Sequence, residues 1–233
     1  MFLARGWEQI RNTICKDNLN VKFVVTHSGL SDFLDGYSHQ SLEDIAIFRV
    51  LPNMKVMVPA DSVALKSLLN QSISFEGPCY IRIGRDNEIP VYEKDEEFLI
   101  GKAKIISDGR DGFIVACGTM LGISIEVANI LRNKGLSFGV VDFHTIKPLD
   151  KDTLMAISKK TKLIFTIEEH NVLGGLGSAI AEFLSENNPI KIIRMGILDR
   201  FGTCARSYFE LLQYFNLMPE QIANRIEVMF NSL

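Results

Sequence analysis

The sequence predicts an α/β protein made of two consecutive units, each built on a mostly parallel sheet. Short apolar runs rich in β-branched residues alternate with stretches of helical periodicity along most of the chain. A polar, acidic segment, residues 86–101 (DNEIPVYEKDEEFLIG), interrupts that alternation and divides it in two. At 233 residues the chain is long enough for two modest domains with real cores. The division falls near residue 95, giving a first unit over 1–95 and a second over 96–233.

The elements follow in order. Trp7, Ile10 and Ile14 recur at helical spacing, and Asn18-Leu19-Asn20 closes that helix. Val21 to Thr26 (VKFVVT) reads as a buried strand. A turn-rich stretch comes directly after it, and Ser41 to Arg49 then looks helical, with acidic Glu43 and Asp44 in its first turn. Lys55 to Val58 is a strand, Ser62 to Phe75 a helix capped by Asp61, and Cys79 to Ile83 a strand. In the second unit, strands are expected at 112–116, 137–142, 163–168 and 190–195. Helices are expected at 122–134, 151–159 and 177–186, the first closed by Gly135. His144 and Lys147-Pro148 read as a loop. The first unit opens on a helix and has only three expected strands, so first strands of its sheet are expected to be missing. The exposed edge would then favour pairing or association.

Composition narrows the function classes. The net charge is −3 with Lys and Arg scattered, which does not form the basic stripe of a nucleic-acid binder. No run of 18 apolar residues offers a membrane span, and the N-terminus has no signal-peptide core, so a soluble, cytoplasmic protein is expected. Cys15, Cys79, Cys117 and Cys204 lie far apart and read as reduced thiols.

In open α/β sheets, ligands bind beyond the carboxyl ends of the strands. His27, Asp35 and His39 follow the first strand, and Arg85 follows the third. If those strands are neighbours, the four side chains meet in one crevice. Imidazoles exchange protons with a sugar carbonyl or hydroxyl near neutral pH, a carboxylate accepts from hydroxyls, and a guanidinium grips phosphate. Each residue taken singly also has a plain structural reading, as a strand-end histidine, a turn or a surface ion pair. Gly174-Gly175-Leu176-Gly177 is a weak phosphate signal, and a metal cluster at Glu168-Glu169-His170 is disfavoured because neighbouring strand positions point apart.

The run VVTHSGLSDFLDGYSHQSLEDIAIFRVLPNMKVMVPAD, Val24 to Asp61, resembles the pyrimidine-binding domain of transketolases. It keeps the order and spacing of Thr-His, Asp-Gly, His-Gln, Glu, Arg, Pro-Asn and Pro-Ala-Asp. IRIGRDNEIP, Ile81 to Pro90, is similar to the family's strand-end arginine segment. TIEEHNVLGGLGSAIAE, Thr166 to Glu182, and DRFGTCARSYFELLQYFNL, Asp199 to Leu217, resemble its C-terminal domain.

The resemblance implies transfer of a two-carbon ketol unit between phosphosugars with thiamine diphosphate, as in the pentose phosphate pathway. His27 and His39 match the substrate-facing, proton-transferring histidines. Asp35 matches a hydroxyl-binding carboxylate, Arg85 a phosphate-gripping arginine, and Phe2 the aromatic that stacks on the cofactor's pyrimidine ring. The glutamate that activates the pyrimidine lies, in the family, upstream of the first residue here. The diphosphate and its Mg2+, or another divalent metal, are held by a domain with a GDG motif, which this sequence lacks. The implied partner is an N-terminal transketolase subunit in a homo- or hetero-oligomer, with no metal ligand on this chain. Other two-chain thiamine enzymes (a deoxyxylulose-phosphate synthase or a 2-oxo acid dehydrogenase β subunit) and a non-catalytic truncated remnant stay open as alternatives.

Overall fold

A computed structural model describes residues 2–85, 89–94 and 96–232, with Phe2 in backbone only. The chain forms two α/β sheets that share their cores. In the first, strands β1 (Lys22–Val25), β2 (Lys55–Met57) and β3 (Cys79–Arg82) run parallel in the order β1-β3-β2. The second contains β4 (Lys104–Ser107), β5 (Gly112–Ala116), β6 (Phe138–Asp142), β8 (Leu163–Asn171) and β9 (Lys191–Ile197), in the order β4-β6-β5-β8-β9. Only β4 is antiparallel there.

Strand β7 (Thr145–Lys147) departs from the expected loop around His144 and Lys147. Although it belongs to the second half of the sequence, it pairs antiparallel with β2 and completes the first sheet. Val58 N donates to His144 O at 2.8 Å beside it. A strand of this length carries no periodic signal, and its pairing partner is distant in sequence. The expected N-terminal helix is also interrupted. It consists of α1 (Phe2–Arg5), α2 (Trp7–Gln9) and a π-helical turn over Ile10–Cys15, with Gly6 at the break. Trp7 Nε1 donates to Ile47 O at 2.7 Å and anchors this segment to α3 (Asp44–Arg49).

The remaining helices show their causes in the sequence. In α4 (Ser62–Ser74), Ala64, Leu68 and Ser72 form one buried stripe at spacing four. Asp61 caps it through Oδ1 to Ala64 N at 3.0 Å, while Oδ2 accepts from Val91 N and Tyr92 N of the segment joining the units. Helix α5 (Met120–Asn133) buries Leu121, Val127 and Leu131, and α6 (Lys151–Lys160) is capped by Asp150. Beyond α7 (Leu176–Asn187), helices α8 (Tyr208–Tyr214) and α9 (Pro219–Asn231) start at a Ser207 cap and at a proline in the first turn.

Strand alternation sends side chains to two apolar clusters. Met57, Ile81 and Ile114 enter one; Val56, Tyr80 and Phe113 enter the other. Each cluster draws on both sheets, so the units are fused through both faces.

Candidate functional site

Strands β1 and β3 are neighbours, which is the part of the expected arrangement that strand pairing decides. Val25 lies opposite Arg82, so the chain leaves both strands at the same edge, with His27 two residues beyond one and Arg85 three beyond the other. His27 and Arg85 are exposed there, and Asp35 and His39 are exposed on the segment that follows β1. His27 Nδ1 lies 2.8 Å from Thr26 Oγ1, and His39 Nδ1 lies 3.0 Å from Ser38 Oγ. Arg85 Nη1 reaches Asp32 Oδ1 at 3.3 Å. Asp35 opens a 3-10 turn over Gly36–Ser38. Gly36 has φ +73°, and a Cβ there would strike Cys204 Sγ at 2.5 Å, so the turn needs glycine. The expected stacking residue, Phe2, has its side chain outside the described residues.

His27 has φ +61°, a left-handed conformation that costs a residue with a Cβ roughly 1–3 kcal/mol unless its surroundings hold it. The surroundings do hold it. Ser28 N and Ser28 Oγ both donate to Ile83 O, and Gly29 N donates to Ser41 O. Gln40 Nε2 then bonds to Asp32 O and to Thr203 O, which ties the segment after β1 to the second unit.

Under this surface lies a buried polar network that the sequence reading passed over. Asp44 Oδ2 accepts from Arg82 Nε at 2.7 Å and from Tyr80 OH at 2.6 Å. Burial would raise the Asp44 pKa, but Arg82, His170 and Tyr80 outweigh it and hold the carboxylate below its ordinary range. Asp44 Oδ1 is buried without a hydrogen-bond partner among the described residues. Arg82 also donates to Ser41 O and to Glu169 O, joining the two units. The run Glu168-Glu169-His170 feeds this network from both faces of β8. Glu168 caps α7 by accepting from Leu176 N and Gly177 N, and burial pushes its pKa up to about 7. Glu169 turns the other way, to Leu30 N, Thr119 Oγ1 and Tyr208 OH. His170 Nδ1 donates to Asn171 O at 2.6 Å, and Nε2 accepts from Ala46 N at 3.4 Å. The available signal was three ionisable residues in succession at the end of an apolar run, which is costly unless each finds a partner.

Residues 1–88 match the transketolase pyrimidine-binding domain, and residues 101–222 match the transketolase C-terminal domain. The chain belongs to the transketolase family. Among curated transketolase relatives, it is 41% identical over 96% of its length to a protein of Methanocaldococcus jannaschii described as a putative transketolase C-terminal section, spanning 70% of that protein. It is 35% identical over 94% of its length to a 6-deoxy-6-sulfo-D-fructose transketolase subunit of a Clostridium species, spanning 67% of it. Among solved structures, a split-gene transketolase, described as an inactive β4 tetramer, superposes with a TM-score of 0.89 at 38% identity. That match covers 98% of this chain and 72% of the other.

Family membership implies thiamine diphosphate, and the residues at the end of β1 offer the mixed apolar and hydroxyl chemistry that a pyrimidine ring takes, around a cleft with room for little more than a water molecule. Leu3, Ala4, Val25 and Phe48 give a small cleft apolar walls, Thr26 and Ser28 give it hydroxyls, and Asp44 lies at its base. Among the described residues, no group of three or more His, Cys, Asp or Glu side chains is placed to hold a metal ion. No described helix is long and apolar enough to cross a membrane.

Proposed function

We propose that the chain is the substrate-side section of a transketolase, transferring a two-carbon ketol unit between phosphosugars as one subunit of an oligomer. The observation that carries this reading is the shared edge of β1 and β3, just beyond which His27 and Arg85 lie within one family-matched unit that also carries Asp35 and His39. In this reading the first unit spans 1–95, and the second, 96–233, braces it. An N-terminal subunit supplies the diphosphate- and metal-binding domain, and the assembly works in the cytoplasm.

Phe2 would hold the cofactor's pyrimidine end, beside the apolar residues at the end of β1. When bound, the cofactor would supply a nucleophilic carbon. His27 donates to the donor sugar's carbonyl oxygen and exchanges its proton as charge develops there. His39 does the same at the terminal hydroxyl. Asp35 accepts from a hydroxyl further along the sugar. Arg85, at the rim, binds the terminal phosphate through its fork of N–H donors.

The test combines the chain with a transketolase subunit carrying the diphosphate domain, thiamine diphosphate and magnesium, and follows ketol transfer from xylulose 5-phosphate to ribose 5-phosphate. His27→Ala should lower kcat by about a hundredfold or more. Arg85→Ala should act mainly on KM for phosphorylated sugars and spare their unphosphorylated analogues. Turnover of pyruvate in place of the ketose phosphate would refute the ketol-transfer reading and favour a deoxyxylulose-phosphate synthase or 2-oxo acid dehydrogenase type.

A further inference from the structure

The backbone donors of Ser28, Gly29, Leu30 and Ser31, which follow His27 in its turn, are engaged. Ser28 N donates to Ile83 O at 3.1 Å, Gly29 N to Ser41 O at 3.1 Å and Ser31 N to Ser28 O at 3.4 Å. These acceptors lie in the first unit. Leu30 N points instead to Oε1 of Glu169, 139 residues further along the chain.

Glu169 is itself fixed. Its Oε2 accepts from Thr119 Oγ1 at 2.7 Å and from Tyr208 OH at 2.6 Å, and its main-chain oxygen accepts from Arg82 Nη2 at 3.0 Å. The side chain is buried at 4% exposure. Contact with the turn is close: Gly29 has φ +65°, and a Cβ there would lie 2.3 Å from Glu169 Oε1. A left-handed His27 persists only where its neighbours over-determine it, and this carboxylate is the one side-chain acceptor from the second unit on the turn's backbone among the described residues.

We infer that Glu169 is a positioning residue for His27. It touches no substrate, but it sets the backbone of the turn from which the substrate-facing imidazole projects. The second unit thereby acts on the chemistry of the first. This inference rests on the ketol-transfer reading above.

The test uses the reconstituted two-subunit enzyme for kinetics and the full chain for amide hydrogen exchange. Glu169→Leu removes the acceptor. Glu169→Gln keeps it, because the amide oxygen still faces Leu30 N while its NH2 donates to the two hydroxyls. Ile164→Val, at a fully buried position of the second sheet, weakens the fold without touching the turn. Glu169→Leu should lower kcat about ten- to a hundredfold with little change in KM, as expected for a misplaced reacting group. It should also speed exchange in the 27–31 segment. Glu169→Gln should restore both, and Ile164→Val should leave both near wild type. Should Glu169→Leu fail to fold, the Thr119→Val/Tyr208→Phe double variant frees Oε2, and it should speed the same exchange.

Native kcat and native exchange in Glu169→Leu would overturn the inference, as would an equal loss in Ile164→Val. In the substitute experiment, unchanged exchange in the double variant would do so. A wild-type enzyme that transfers no ketol unit would refute the functional reading instead, leaving the exchange measurement to decide whether Glu169 holds the turn.

Discussion

Asp142→Asn is expected to gain stability over the wild type as pH rises. Asp142 ends β6 with no exposed surface. Its Oδ2 accepts from Tyr92 OH at 2.7 Å, and its Oδ1 has no partner among the described residues. Burial, outweighing the hydrogen bond from Tyr92 and reinforced by Asp61, pushes its pKa from 3.8 up to about 7. The folded chain therefore keeps a proton that the unfolded chain releases. Stability from this group is fully present at low pH and declines as pH rises from about 4 to about 7. The slope is about 1.4 kcal/mol per pH unit, so roughly 2–3 kcal/mol is lost between about pH 5 and pH 7. Asparagine cannot ionise, and its NH2 stands where the acid carried its proton. The variant and wild type should match near about pH 4.5, and the variant should lead by roughly 2–3 kcal/mol near about pH 7.5. His144, pushed down to about 4, and His170, also lowered, are both depressed chiefly by burial and act with the opposite sign below their ordinary range. They are present in both proteins and cancel in the difference. Urea unfolding across this range measures it, and a difference that stays constant with pH would refute the reasoning.

Arg82→Met should destabilise the chain by about 3–5 kcal/mol, because it leaves Asp44 buried without its cation; removing both charges together in Arg82→Met/Asp44→Leu should recover much of that, by denaturant unfolding. In native protein, a thiol reagent should label Cys204 rapidly while Cys15, Cys79 and Cys117, buried and with thiol pKa values pushed up by burial, react only after denaturant is added. Mass spectrometry of the labelled peptides reads this directly.

The sequence was most legible where one physical signal acted locally. The apolar runs at Gly112–Ala116 and Phe138–Asp142 are strands because buried parallel strands need no polar face. Asp61 caps its helix as its position after Pro59-Ala60 suggested. The neighbouring of β1 and β3, required for His27 and Arg85 to share an edge, was a condition that periodicity could state but not decide. Strand β7 escaped notice because its partner lies across the boundary between the units, and β4 because it follows directly on the polar joining segment. The partners of Glu169 were hidden as well: Leu30, Thr119 and Tyr208 come from three separate segments, and nothing local in Thr166 to Asn171 records them.

Strand β7 also bears on how such a protein can be divided and recombined. The joining segment resembles a convenient place to cut, yet a break there would leave the first sheet dependent on a strand encoded on the far side. Exchanging either half with that of a distant homologue would ask a foreign Thr145–Lys147 to zip against β2. The heritable module is therefore the pair of units, and breakpoints tolerated by selection should fall outside the stretch from β2 to β7.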